Sequence, residues 1–148
     1  MKQIEVRLNL EVVAPLLDFI KPVIKDLEHE TAFASEMAEA DRDLEGLWRE
    51  GLIHTQTEDC RLLLGLFGAE FVETGRVVFQ QDNSDAVLRA ASAIRLKLRE
   101  SALASLSDAA IEGGEIELEN LSEPERLGFA AYLFLATLQE IIIKHLGI

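Results

Sequence analysis

The sequence predicts a mainly α fold, a bundle-like domain of four to five helices with a minor β element. Three observations carry that expectation. Apolar residues recur at steps of three and four over most of the chain, as they do in helices with one buried face. A short stretch at the start alternates with period 2 instead, as a half-buried strand does. The clearest helix start, Ser122-Glu123-Pro124-Glu125, has the spacing of a capping box and opens a long apolar run.

Taken in order, Ile4, Val6 and Leu8 alternate with Gln3, Glu5 and Arg7, which gives a strand over about residues 3–8. Leu10, Val13, Leu17, Ile20, Ile24 and Leu27 then follow helical spacing to about residue 29. Pro15 and Pro22 fall inside that pattern and each removes a backbone donor. The helix is therefore expected to begin near Pro15, with a kink at Pro22 as the alternative. A second helical pattern starts near Thr31 and runs through Phe33, Met37, Ala40, Leu44, Leu47 and Trp48. Phe71-Val72 and Val77-Val78-Phe79, joined across Glu73-Thr74-Gly75, predict a small hairpin within 70–80. Asn83, Ser84 and Asp85 offer N-caps to a helix reaching about Leu106, with Val87, Ala91, Ile94, Leu98, Ala102 and Leu106 on its core face. "EIELENL" alternates again and predicts a strand near 115–119 that pairs with the first. The last helix, about 123–146, is apolar almost all round. Arg126, Thr137, Glu140 and Lys144 fall on one narrow line, which Leu133 shares.

With 148 residues and 49% apolar composition, the chain is expected to form a single domain. The net charge is −13, and it is unevenly placed. Residues 26–50 hold nine acids against Arg42 and Arg49, and residues 108–125 hold seven acids with no Lys or Arg. Such a field repels nucleic-acid phosphate and anionic membrane, and favours a basic protein partner if it favours any. The longest apolar run, 127–143, is interrupted by Gln139 and Glu140 and is short for a spanning helix, so no membrane is expected. Nothing in "MKQIEVRLNL" reads as a signal peptide, and the lone Cys60 excludes an internal disulfide; both point to the cytoplasm.

The stretch "IHTQTEDCR", residues 53–61, admits two readings. Thr55 and Glu58 have capping-box spacing and Gly51 could end the preceding helix, so a new helix would start at Thr55. That reading is the expected one. In the other, one unbroken helix places Trp48, Leu52, Thr55 and Asp59 on a single line, with Asp59 turned inward. A buried carboxylate needs a partner. "RAASAIRLKLRE" offers Arg89, Arg95, Lys97 and Arg99, of which Arg95 and Arg99 border the core face of their helix. The alternative function is then a small-ligand or metal-binding helical protein whose site gathers His54, Glu58, Asp59, Arg95 and Arg99.

No metal and no cofactor is expected. Glu50, His54 and Glu58 are four apart, but the Glu-x-x-His pairs of helical di-metal sites and the H-E-x-x-H signature are both missing. Cys60 lacks a base at a useful spacing, and no phosphate-binding glycine loop or nucleophile elbow occurs, so no catalytic residue is expected.

The strand-to-helix start "IEVRLNLEVVAPLLDFI", the acidic segment "GGEIELENLSEPE" and the apolar close at "HLGI" together resemble an uncharacterised bacterial family of small, mostly helical cytoplasmic proteins, a domain of unknown function. The likeness covers the two chain ends and implies no functional residue. The function expected is a non-enzymatic interaction or regulatory module that forms a homodimer through apolar helices. Its motive is the apolar helix 123–146, together with Leu96 and Leu103, which lie off the core face of their own helix.

Overall fold

A computed structural model of the chain describes residues 2–29, 42–113 and 116–146. The helical pattern expected from Thr31 to Ala40 lies outside the described residues. The fold is mainly α with a small antiparallel sheet, as the periodicities imply.

Strand β1 (Gln3–Arg7) leads into α1 (Leu10–Leu27). The helix starts at Leu10, ahead of Pro15, and both prolines lie within it. Asn9 decides the start: its side-chain oxygen accepts from the Glu11 N–H at 2.9 Å. Pro15 and Pro22 cost less here than in a buried helix. Both face solvent, as do Glu11 and Asp18, whose carbonyls lose their helical donors to the prolines. The opposite face of α1 buries Val13, Leu16, Ile20, Ile24 and Leu27.

Helix α2 (Arg42–Gly65) is followed by the short α3 (Ala69–Thr74) and then by β2 (Arg76–Gln80). The hairpin expected within 70–80 does not form. Its first half is α3, whose Phe71 packs edge-on against Phe67 at 5.1 Å between ring centroids. Its second half is β2, which pairs with β1 in the register Gln3↔Gln80 to Arg7↔Arg76. Gly75 makes the change of direction, at φ +74, where a Cβ would come within 2.7 Å of the Leu8 carbonyl oxygen. Of the segment near 115–119 expected to pair with β1, residue 115 lies outside the described residues and Leu118–Asn120 form one turn of 3-10 helix.

Helix α4 (Gln81–Glu100) begins earlier and ends earlier than its sequence signals suggest. Ser84 does not cap it but bonds back to the Gln80 carbonyl at 2.9 Å. After Glu100 the chain leaves the helix, and Leu103 N–H reaches back to the Leu98 carbonyl at 2.9 Å. That turn drives Leu103, rather than Ala102 or Leu106, fully into the core. Leu103 therefore gives no support to an outer apolar face.

Two helices follow, α5 (Asp108–Gly113) and α6 (Glu123–Leu146). The capping box of α6 is formed as expected: Glu125 N–H donates to Ser122 Oγ at 3.3 Å, and Ser122 N–H donates to Glu125 Oε1 at 2.9 Å. Ser105 Oγ adds a bond to Glu125 Oε2 at 2.5 Å, and these bonds, that of Ser105 first, hold the carboxyl below its ordinary pKa.

Helix α6 is long and apolar enough to cross a membrane, the one such helix among the described residues. It packs on α1, α4 and β1. Phe129, Leu135, Leu138, Ile142 and Leu146 are buried, while Arg126, Leu133, Thr137, Glu140 and Lys144 form the exposed line read from the sequence. The helix expected to carry a subunit interface thus buries one face, while Leu133 and Ile143 stay 46% and 50% exposed.

A candidate binding groove between two helices

Helix α2 runs without interruption through residues 53–61, so the capped start expected at Thr55 is not made. Tertiary contacts hold the segment in one helix. Gln56 Nε2 donates to the Leu27 carbonyl at 2.7 Å, filling an orphan acceptor at the end of α1. Cys60 and Leu63 sit in the core beside it. Thr55 is exposed, and Glu58 turns outward to pair with Arg61 at 3.6 Å.

Continuity of α2 turns Asp59 inward, to 6% exposure. Its partner is Arg89, neither Arg95 nor Arg99. Arg89 Nε reaches Asp59 Oδ2 at 2.8 Å and Nη2 reaches Oδ1 at 3.0 Å, a bidentate, charge-assisted pair. The hydrogen bond to Asp59 raises the Arg89 pKa further, while burial opposes it. Burial, and then the charges of Asp59 and Glu28, push the Cys60 thiol up to about 12. A thiol held protonated in this way is no nucleophile.

Above the ion pair lies an open groove of about 390 Å³ between α2 and α4. Leu52, Leu88, Ala93 and Leu96 form its apolar walls, and Thr55, Gln56, Asp59, Arg89 and Ser92 its polar floor. Leu96 remains 41% exposed. One turn before Leu52, on the same line of α2, Trp48 stands 42% exposed, and every residue from Gly46 to Gly51 faces solvent.

The other residues singled out by sequence lie elsewhere. His54 is exposed on the outer side of α2. Arg95 turns towards α6, where Nη1 bonds Gln139 Oε1 at 2.6 Å and Nη2 bonds Tyr132 Oη at 3.0 Å. Arg99 bonds Glu112 and lies 3.6 Å from Asp108. The two guanidinium groups flank the Tyr132 ring at 4.5 and 5.4 Å. Gln139, which seemed in the sequence only to interrupt an apolar run, ties α6 to α4 through the Leu88 carbonyl at 3.0 Å and Ser92 Oγ at 2.8 Å. Of the five residues, Asp59 lines the groove, Arg95 and Arg99 line an adjoining cavity that shares Ser92 and Leu96 with it, and His54 and Glu58 face solvent. Among the described residues no group of three or more His, Cys, Asp or Glu is placed to hold a metal ion.

Arg89 was within reach of sequence reasoning. The chain returns from the end of α2 to the start of α4 through a short α3 and β2, so the two helices are antiparallel. Asp59 lies six residues before the end of α2, and Arg89 eight residues after the start of α4. Residues at such matched distances from a connection fall level with each other.

No curated protein and no solved structure matches the chain. Residues 31–146 match the domain of unknown function DUF2017, a stretch that includes α2 to α6 and leaves β1 and α1 outside. The resemblance read from the two chain ends is therefore carried by the C-terminal one, and the chain belongs to the DUF2017 family.

Proposed function

We propose that the domain is a non-enzymatic interaction module that docks the apolar face of a basic partner segment in the groove between α2 and α4. The observation that carries this reading is the alignment of Trp48 with Leu52 at the mouth of an apolar groove that Leu96 closes from α4. An exposed tryptophan beside a concave apolar surface supplies much contact area at little entropic cost, the usual chemistry of an interface anchor. Asp59 and Arg89 share two hydrogen bonds, so neither is placed as a general acid or base. A net charge of −13 steers basic segments towards the domain and repels acidic ones. The lone buried thiol fits a reducing compartment, so we place the module in the cytoplasm.

Calorimetric titration with a synthetic amphipathic Lys/Leu helix tests the reading. Binding to the native domain, weakened at least tenfold by Leu96→Asp, is the expected result. Equal affinity for both proteins, or none for either, contradicts it.

A second reading uses the same groove for a small apolar molecule with an anionic end. Arg89 Nη1 favours it, since Asp59 takes only Nε and Nη2. A medium-chain fatty carboxylate that binds where the peptide does not would select this alternative.

A further inference from the structure

The expected homodimer needs a surface, and the outer edge of β1 offers one. Leu8 N–H donates to the Gly75 carbonyl at 2.8 Å, and Gln81 N–H to the Lys2 carbonyl at 3.1 Å. Residues of an antiparallel pair alternate between bonded and non-bonded positions. Lys2, Ile4, Val6 and Leu8 therefore direct their backbone groups at β2. Gln3, Glu5 and Arg7 direct theirs away from it, and none of these has a backbone partner among the described residues.

The two edges of the sheet are not equivalent. On β2, the Gln80 carbonyl accepts from Ser84 Oγ, and Arg76 N–H donates to Thr74 Oγ1 at 3.2 Å, so both ends are occupied. On β1 a channel of about 590 Å³ follows the whole strand, with Ile141 and His145 of α6 as its far wall. An open row of donors and acceptors is a template for another strand.

We propose that two copies of this chain pair through β1, antiparallel about a two-fold axis at Val6, to make a four-stranded sheet. The register follows from the charges. Only odd-numbered residues present free backbone groups, so the bonded pairs must join odd to odd. Centring the axis on Glu5 would oppose two glutamates, which destabilises. Centring it on Val6 places each Glu5 opposite the other copy's Arg7, twice by symmetry. The non-bonded pairs are then Val6 with Val6 and Ile4 with Leu8, apolar on the half-buried face. The strand is complementary to itself in this register.

Three variants test it in the full chain. Val6→Cys brings two thiols to a non-bonded pair with Cα atoms about 4.5 Å apart, within disulfide reach. Under mild oxidation it is expected to form a covalent dimer, whereas Glu5→Cys does not; the native Cys60 is buried and does not interfere. Glu5→Arg and Arg7→Glu each place like charges opposite one another and are expected to sediment as monomers. Mixed in equal amounts, they regain two Glu–Arg pairs and form a heterodimer. A native chain that is monomeric at high micromolar concentration overturns the proposal. So does a native dimer that both charge variants keep and Val6→Cys fails to cross-link; that result places self-association on another surface and leaves the groove reading untouched.

Discussion

At the residue scale the Asp59–Arg89 pair decides the character of the groove. A buried carboxylate that loses its partner bears a desolvation penalty, though water can reach the side vacated by Arg89, whose side chain is 56% exposed. Arg89→Ala is therefore expected to lower unfolding free energy by about 1–3 kcal/mol, read from a urea transition. Arg89→Lys keeps the charge, loses the bidentate geometry and should recover only part of that loss. An unchanged midpoint in Arg89→Ala would show that Asp59 finds another partner. Cys60 makes a second expectation. Its pKa is higher folded than unfolded, so the folded state favours the protonated thiol. That contribution to stability is complete below about pH 9 and is lost as pH rises towards 12. At pH 8 the native protein should not react with Ellman's reagent, while the urea-unfolded chain should react at once; fast native labelling would contradict the burial. The inward turn of Asp59 was legible as one of two readings, because 48, 52, 55 and 59 share a helical face. The choice between them was not legible, since Thr55 and Glu58 do have capping-box spacing and only the packing of Gln56, Cys60 and Leu63 overrides it.

At the scale of elements, local signals succeeded where one cap or one period acted alone. β1 and the start of α6 are close to their expected places because the period-2 stretch and Ser122 meet no competing contact, whereas α1 starts at Leu10, ahead of the expected Pro15, because Asn9 caps it. The hairpin failed because its two apolar runs are individually consistent with a strand or a short buried helix, and Phe71 gains a core position only as helix. β1 was expected to pair with 115–119 because that segment alternates. Register in sheets is set by the whole arrangement, and β2 reaches β1 through Gly75, a route no local pattern reveals. Two substitutions follow. Pro22→Ala restores an N–H opposite the Asp18 carbonyl on an exposed face and should stabilise the protein, by up to about 3 kcal/mol. A loss of stability instead would mean that the proline shapes the packing of α1. Ser122→Ala removes half of the capping box and should cost about 1 kcal/mol. Circular dichroism during thermal unfolding measures both.

For the whole molecule, apolar periodicity set the class correctly as mainly α, and composition set the net charge of −13. What composition could not assign was which apolar residues are surplus to the core. The nearly all-round apolar α6 packs one face on α1, α4 and β1 and leaves Leu133 and Ile143 exposed, while Leu103 folds inward. Trp48 and Leu96 are exposed apolar residues at the groove between α2 and α4, and they are far apart in sequence, so no pattern search joins them. Net charge also gives the two proposed associations opposite responses to salt. Docking of a basic segment is weakened by screening, whereas pairing of two copies, each of charge −13, is opposed by their mutual repulsion and should tighten as salt screens it. The groove is the central claim, and Trp48, the single tryptophan of the chain, reports on it directly. Its emission should shift to the blue and saturate as the amphipathic Lys/Leu helix is added, with weaker binding at high salt. Emission that stays unchanged while the peptide binds would place the docking surface elsewhere and contradict the account.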